Sequence, residues 1–260
     1  MAMGRRGTDV SVLTGLAVGF GGLLMGFVIE RGNLLALFSV SALIIILGGT
    51  LGALIISYNI RDVLGLLRLV RQSMTAAPGP SQEMLELLCE YAEKARRDGI
   101  LSLEEIVEEA DNEFLKKGMQ LVVDGTESET ISTILENDIY LLENKRKEES
   151  GIFETAGGFS PTMGIIGTVM GLIVVLSLLG EDPKELGHAI ALAFTATLYG
   201  IGLANLVWLP IANKLKYRTR REKLELEMIL AGVLAIQLGE NPGLVRKKLE
   251  NFITPEGGAS

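Results

Sequence analysis

Four uncharged apolar stretches govern what this chain can fold into. They run from Val10 to Ile29, Leu34 to Ser57, Ser160 to Gly180 and His188 to Pro210. Each is long enough to cross a bilayer as a helix, which takes about 20 apolar residues. Backbone polar groups in lipid must be paired within the segment, so each stretch has to be helical. The third and fourth are rich in glycine and carry hydroxyls, Thr168 and Ser177 in one and Thr195 and Thr197 in the other. Neither holds a carboxylate or a cation in its middle.

Composition agrees with a polytopic membrane chain. Hydrophobic residues make up 48% and aromatics only 5%, with a mean hydropathy of +0.36. The net charge of -8 is concentrated between Glu83 and Glu149, which argues against nucleic acid as a partner. The single cysteine, Cys89, excludes an intrachain disulfide and a cysteine-based zinc site. Its setting, ELLCEYAEK, is that of a packed thiol on an amphipathic helix. No nucleophile–base pair, phosphate loop or metal-ligand cluster accompanies the lone His188, so no enzyme chemistry and no bound cofactor are expected. Arg5 and Arg6 precede the first stretch as in a signal peptide. That stretch is too long for one and lacks an A-x-A site, so it is read as a retained helix.

The fold class is therefore an all-α integral membrane protein with four spans. A hairpin occupies residues 1–58 and a helical cytoplasmic domain 59–153. A second span pair occupies 154–213, and cytoplasmic helices with a disordered tail fill 214–260. Basic residues at span ends set the orientation. Arg5, Arg6, Arg61, Arg68, Arg71, Lys214 and Lys216 place both termini in the cytoplasm, whereas the link between the last two spans holds only Lys184 among acids. Trp208 and Tyr217 fall near the inner end of span 4, as interfacial aromatics do.

The middle region reads as helices throughout. Residues 59–74 continue span 2, and the APGP run ends them. Ser81 caps a helix that stops at Asp98-Gly99. Ser102 with Glu105, and Thr126 with Glu129, form capping boxes for two further helices, the first ending at Asp124-Gly125. Beyond span 4, Met228–Ile236 is too short to span and forms the buried face of a helix ending at Gly239. Asn241-Pro242-Gly243 then turns into a final short helix.

Several features allow two readings. Gly15/Gly19, Gly22/Gly26, Gly48/Gly52 and Gly167/Gly171 have the spacing that lets helices approach closely in lipid, within the chain or between subunits. Thr168 and Thr197 either bond back to their own helix or line a narrow polar path. A path without an ionisable group relays no protons by titration, so a partner would have to supply the carboxylate. Pro161 is either a first-turn proline or a hinge. Lys94, Arg96 and Arg97 face Glu104, Glu105, Glu108 and Glu109 as a solvated surface with i,i+4 pairs, or as a docking surface of both signs.

The strings FSPTMGIIGTVMGLIVVLSLL, DPKELGHAIALAFTATLYG, LPIANKLKYR and RRDGILSLEE resemble the MotA/PomA family of flagellar stator A subunits, part of the MotA/TolQ/ExbB group. The resemblance covers nearly the whole chain. It implies an inner-membrane subunit in which five A subunits surround two MotB/PomB-like one-span subunits, each carrying an ion-binding Asp. It also implies torque on the rotor protein FliG. Arg96 and Glu104 match rotor-contacting positions, with Arg97 and Glu105 as neighbours. Pro161 and Pro242 match prolines linked to conformational coupling, and Thr168 and Thr197 match channel-facing positions. The transported ion is Na+ or H+; Thr168 and the TLYG string lean to Na+. The competing expectations are a TolQ/ExbB-like energiser, a self-contained channel or transporter, and a membrane scaffold without an ion role.

Overall fold

The computed structural model describes residues 9–180 and 183–253. Arg5, Arg6, Glu181, Asp182 and the tail from Thr254 lie outside the described residues, as do the side chains of Lys184 and His188. Helices are the repeating structure throughout. Among the described residues, four helical stretches are long and apolar enough to cross a membrane, as expected. The chain divides into two compact units: residues up to 76 with 147–216, and residues 77–146 with 217–260. The boundaries expected near 153 and 213 both fall inside long helices.

The first unit begins with α1 (Ser11–Ile29), which buries none of its residues. Span 2 is not one helix from Leu34. A short 3-10 turn, Leu34–Leu37, is followed by extended Phe38 and Ser39, and α2 runs Val40–Ser57. Ser39 makes the break, because its hydroxyl accepts from Ala42 N at 3.2 Å and so caps α2. The stretch after span 2 does not continue that helix either. Tyr58 and Asn59 are extended, with ψ of 164° and 137°, and two short helices follow, α3 (Ile60–Leu64) and α4 (Leu66–Ser73). The Tyr58 hydroxyl lies 2.8 Å from Thr155 Oγ1, a contact that fixes where the chain leaves the span.

In the second unit, Ser81 caps α5 (Gln82–Asp98) by accepting from Met84 N at 3.1 Å, as expected. Gly99 then takes φ +87°, a conformation open to glycine. The expected Ser102 box does not form. Ser102 donates to Gly99 O at 2.6 Å and closes the turn Ile100–Leu103 instead. The helix expected to run to Val123 is split into α6 (Glu104–Glu108) and α7 (Glu113–Val123). Asn112 Oδ1 accepts from both Phe114 N and Leu115 N at 3.0 Å, and this cap starts a new helix. Thr126 is not a cap: its own N–H donates to Leu121 O at 3.0 Å, closing α7 with Gly125 at φ +74°.

The largest departure is α8, a single helix of 50 residues from Ser128 to Ser177. A cytoplasmic helix and span 3 were expected as separate elements, with Pro161 in the first turn of the latter. Instead Pro161 lies inside α8. A proline there has no N–H for the carbonyl four residues back, at Gly157, and costs about 3 kcal/mol in a helix interior. Packing of the flanking turns holds the helix through it: Phe153 and Ala156 below, Ser160 at the proline itself and Gly164 above are all buried. Span 4 behaves alike. α9 (Pro183–Leu203) passes through a π-turn at Ala204–Trp208 into α10 (Leu209–Gln237), so Pro210 does not end the helix. Leu209 N–H donates to Ala204 O, five residues back. This wider turn directly precedes a proline whose ring would otherwise crowd the carbonyl of Leu206. Trp208 packs on Phe153, ring centroids 6.1 Å apart.

Core placement follows apolar periodicity. In the second unit Leu85, Leu88, Tyr91, Leu103, Leu115, Met119, Ile131, Leu135 and Val233 share one cluster with Val245 and Leu249 of α11 (Pro242–Ile253). Cys89 is buried in it, and burial raises its thiol pKa. Met228–Ile236 supplies the expected buried face, and Gly239 ends that helix at φ +65°. Arg146–Glu222 at 3.2 Å and Lys223–Glu143 at 2.7 Å tie α8 to α10. In the first unit Leu54, Val63, Leu66, Phe153, Ile211 and Leu215 pack together.

The tightest contact in the first unit joins α8 to α9. A Cβ on Gly200 would lie 2.7 Å from Ser160 O and 2.9 Å from Gly164 Cα. A Cβ on Gly171 would lie 2.8 Å from Ala193 Cβ. By contrast Gly22, Gly26, Gly48 and Gly52 have nothing within 4 Å of such an atom. Gly200→Val is therefore expected to lower stability by about 1–3 kcal/mol, since backbone cannot yield to it. Gly22→Val should leave the chain's own fold unchanged. Thermal midpoints of the detergent-solubilised variants, followed by size exclusion, check both.

Candidate functional site

The α8–α9 crossing creates the site. Small residues at 160, 164, 167 and 171 of α8 meet Ala193, Ala196 and Gly200 of α9, so the two backbones touch. Ser160 Oγ donates to Gly200 O at 2.9 Å and is fully buried. One turn along, this approach brings Thr168 and Thr197 together. Their hydroxyls share a hydrogen bond. Thr168 Oγ1 also lies 2.9 Å from Ala193 O on the facing helix and 3.1 Å from Gly164 O on its own.

A threonine hydroxyl has one proton and two lone pairs. Thr168 has three acceptors within reach, Ala193 O, Gly164 O and Thr197 Oγ1, and either hydroxyl can donate in the bond between the pair. Whichever donates, the half-buried pair keeps oxygen lone pairs that suit a cation, a water proton or a protonated carboxyl. Neither span holds an acid of its own; the nearest carboxylates in sequence are Glu181, 13 residues after Thr168, and Glu185, 12 residues before Thr197.

Thr195 is a different case. It is buried and bonds back to Ala191 O at 2.8 Å, and Ser177 likewise bonds to Val174 O at 2.7 Å. Sequence reading missed Ser160, Gly164 and Tyr199. Ser160, Gly164 and Thr168 recur at i, i+4, i+8, and that recurrence of small residues was the available signal. Tyr199 donates to Leu37 O at 2.5 Å and accepts from Ser39 N at 3.3 Å, which pins the broken start of span 2 to α9. Nothing local in the sequence reveals that pairing.

The charged candidates lie in the second unit. Arg96 and Arg97 end α5, and Glu104 and Glu105 open α6, with the Gly99 turn between them. All four are exposed. Arg97 does not make an i,i+4 pair; it makes two bonds of 3.0 Å to the adjacent Asp98. This guanidinium lowers the Asp98 carboxyl pKa and its own is raised in turn. Pro242 is the first residue of α11, where its missing N–H is harmless, and Asn241 Oδ1 accepts from Gly243 N at 2.9 Å. Pro161 and Pro242 are thus in unlike settings, one inside a long helix and one at a helix start.

The chain matches two family models. Residues 13–99 match the motility protein A N-terminal region, and residues 106–228 match the MotA/TolQ/ExbB proton channel family. It is 34% identical to the chemotaxis protein PomA of Vibrio alginolyticus over 94% of this chain and 95% of the relative. It is 35% identical to motility protein A of Bacillus subtilis (strain 168) over 94% and 91%. Among solved structures it is similar to the C. jejuni MotAB structure, with a TM-score of 0.90 at 31% identity, covering 96% of this chain and 98% of that one. It is also similar to the flagellar MotAB stator complex of Bacillus subtilis, with a TM-score of 0.86 at 34% identity, covering 93% and 95%.

Thr168→Val should cost about 1 kcal/mol of stability, the usual size of an interhelical hydrogen bond in a membrane. Thr168→Ser should recover most of it, because the hydroxyl and its carbonyl partner survive. Chemical unfolding of the two variants in matched detergent measures the difference.

Proposed function

The chain belongs to the MotA/TolQ/ExbB proton channel family, on its motility protein A branch, and from that premise we propose how its helices divide the work. It is a flagellar motor stator subunit of the cell membrane, part of an ion channel that powers rotation, and not an enzyme. Its structural neighbours are MotAB complexes, so it works with a MotB-type partner. The reading as a TolQ/ExbB-like energiser is set aside, because the relatives matched over nearly the full length are motility proteins.

In our reading the second span pair is one wall of the ion path and the partner's single span is the other. The observation that carries this is the Thr168–Thr197 hydroxyl pair, with no acid in either span. Such a surface can hold a partner's protonated carboxyl, or supply oxygens to a partly dehydrated Na+, but it cannot relay protons by itself. We assign the coupling ion as Na+, because two adjacent hydroxyl oxygens replace part of a hydration shell. The hairpin of residues 1–58 surrounds this wall, and five copies of the chain enclose two partner spans.

The cytoplasmic helices carry force. Exposed Arg96, Arg97, Glu104 and Glu105 sit at one corner of the second unit and present both charge signs to FliG. Pro161 interrupts the hydrogen-bond ladder of the helix that bears Thr168, which makes it the point where a change of ion occupancy bends α8. Pro242 starts α11 and sets the position of the terminal helix. Cations at span ends, Arg61, Arg68, Arg71, Lys214 and Lys216, put both termini in the cytoplasm.

Two measurements test the reading. Thr197→Val should abolish or strongly slow swimming at unchanged membrane levels; normal speed would remove the pair from the ion path. Swimming speed should rise with sodium concentration at fixed pH, and speed unaffected by sodium would transfer the assignment to H+. Separately, Glu104→Lys should impair torque while the complex still assembles, scored by tethered-cell rotation.

A further inference from the structure

The segment directly after span 2 has a surface that ion transport and rotor contact leave unused. α2 ends at Ser57, and extended Tyr58 and Asn59 turn the chain before α3 and α4. One face of these helices is core: Val63, Leu66 and Leu69 are buried. The opposite face is apolar too, with Ile60 56%, Leu64 77% and Leu67 81% exposed. Ile60 and Leu64 stand one turn apart on α3, and Leu67 follows them on α4 across Gly65, whose backbone (φ -74°, ψ -9°) stays in the helical region. Arg61, Arg68 and Arg71 flank the stripe, against a single acid, Asp62. Arg68 reaches Glu149 only at 3.8 Å, and its side chain stays 75% exposed.

Both ends of the segment are tied to span ends. Its start lies three residues past the end of α2, a reach of at most about 10 Å. Its end is held where Asp9 N donates to Met74 O at 2.8 Å, two residues before α1 begins. Asp9 is itself fixed by an ion pair with Lys214 of α10, and that ammonium holds its carboxyl far below the usual carboxylate range. A segment anchored at both ends to membrane-crossing helices on the same side runs along the bilayer surface. It therefore meets the headgroup layer with three apolar side chains and three arginines.

We propose that α3 and α4 bind anionic phospholipid: Ile60, Leu64 and Leu67 enter the acyl boundary while Arg61, Arg68 and Arg71 engage headgroup phosphates. An interfacial helix is held by this combination of apolar burial and attraction to anionic lipid. Guanidinium favours phosphate because its planar donors match two oxygens at once. The leaflet served rests on the orientation proposed above; the lipid preference does not.

The test places the membrane-purified complex in nanodiscs of neutral phosphatidylcholine, or of the same lipid mixed with phosphatidylglycerol, and follows amide hydrogen exchange over residues 58–76. Slower exchange in the anionic discs is expected. The R61Q/R68Q/R71Q variant should exchange alike in both. Each single arginine variant should lose about fivefold in apparent lipid affinity, read from the phosphatidylglycerol fraction giving half protection. The single variants decide the matter if the triple variant does not assemble. Three results would overturn the proposal: equal exchange of the wild type in both discs, the same protection from inorganic phosphate in neutral discs, or lipid-independent disulfide cross-linking between copies through L64C in a C89S background. The last would make the stripe a contact between subunits.

Discussion

Backbone-to-backbone contact between α8 and α9 at Gly164 and Gly200 is the constraint on which the membrane unit depends. In lipid there is no hydrophobic push between helices, so association rests on close packing and on hydrogen bonds the approach permits. Here a Cβ on Gly200 would meet Ser160 O at 2.7 Å and Gly164 Cα at 2.9 Å, so the approach leaves no room for a side chain. It lets Ser160 reach a carbonyl on the neighbouring helix, and it puts Thr168 within reach of Ala193 O. The hydroxyl pair is a product of that approach rather than a separate feature. Larger residues at 164 or 200 would hold the helices apart, and the two threonines would return to their own backbones.

Two prolines show how the same helices tolerate a lost donor. At Pro161 the helix stays α-helical and the flanking turns are clamped by buried neighbours. At Pro210 the preceding turn widens and a five-residue hydrogen bond replaces the usual one. The difference matters for mechanics. A clamped interruption stores its cost in packing and can be released by a change in that packing, whereas a widened turn has already relaxed.

Much of this was legible in the sequence. Four apolar runs gave four spans, because length and absence of charge leave no other solution in lipid. Ser81, Gly99, Gly125 and Gly239 marked true helix ends, since cap and positive-φ requirements are local. Thr168 and Thr197 were singled out from hydroxyls set beside small residues, and they do meet. What failed was capping by pattern alone. Ser102 and Thr126 fit a capping box, yet Ser102 closes the turn after Gly99 and Thr126 the turn after α7. Helix continuity through Pro161 was also invisible: a proline there reads as a first-turn residue or a hinge, and only tertiary packing around it keeps α8 going. The Tyr199 contacts with residues 37 and 39 join positions far apart in sequence, and no local rule reports them.

The π-turn has a further meaning. Arithmetically it is an α-helix carrying one residue more than its turns need. Leu203 and everything before it keep one angular phase, and Leu209 and everything after it keep another. Ala193 and Ala196 face α8 in the first phase; Ile211, Ala212 and Leu215 face their own cluster in the second. Losing one residue between 204 and 208 would merge the phases and turn the later set by about 100°, the rotation per residue of an α-helix. Chain length at this one place is therefore an angular setting, a vernier between the half of the helix that holds a threonine and the half that begins at Leu209 and Pro210.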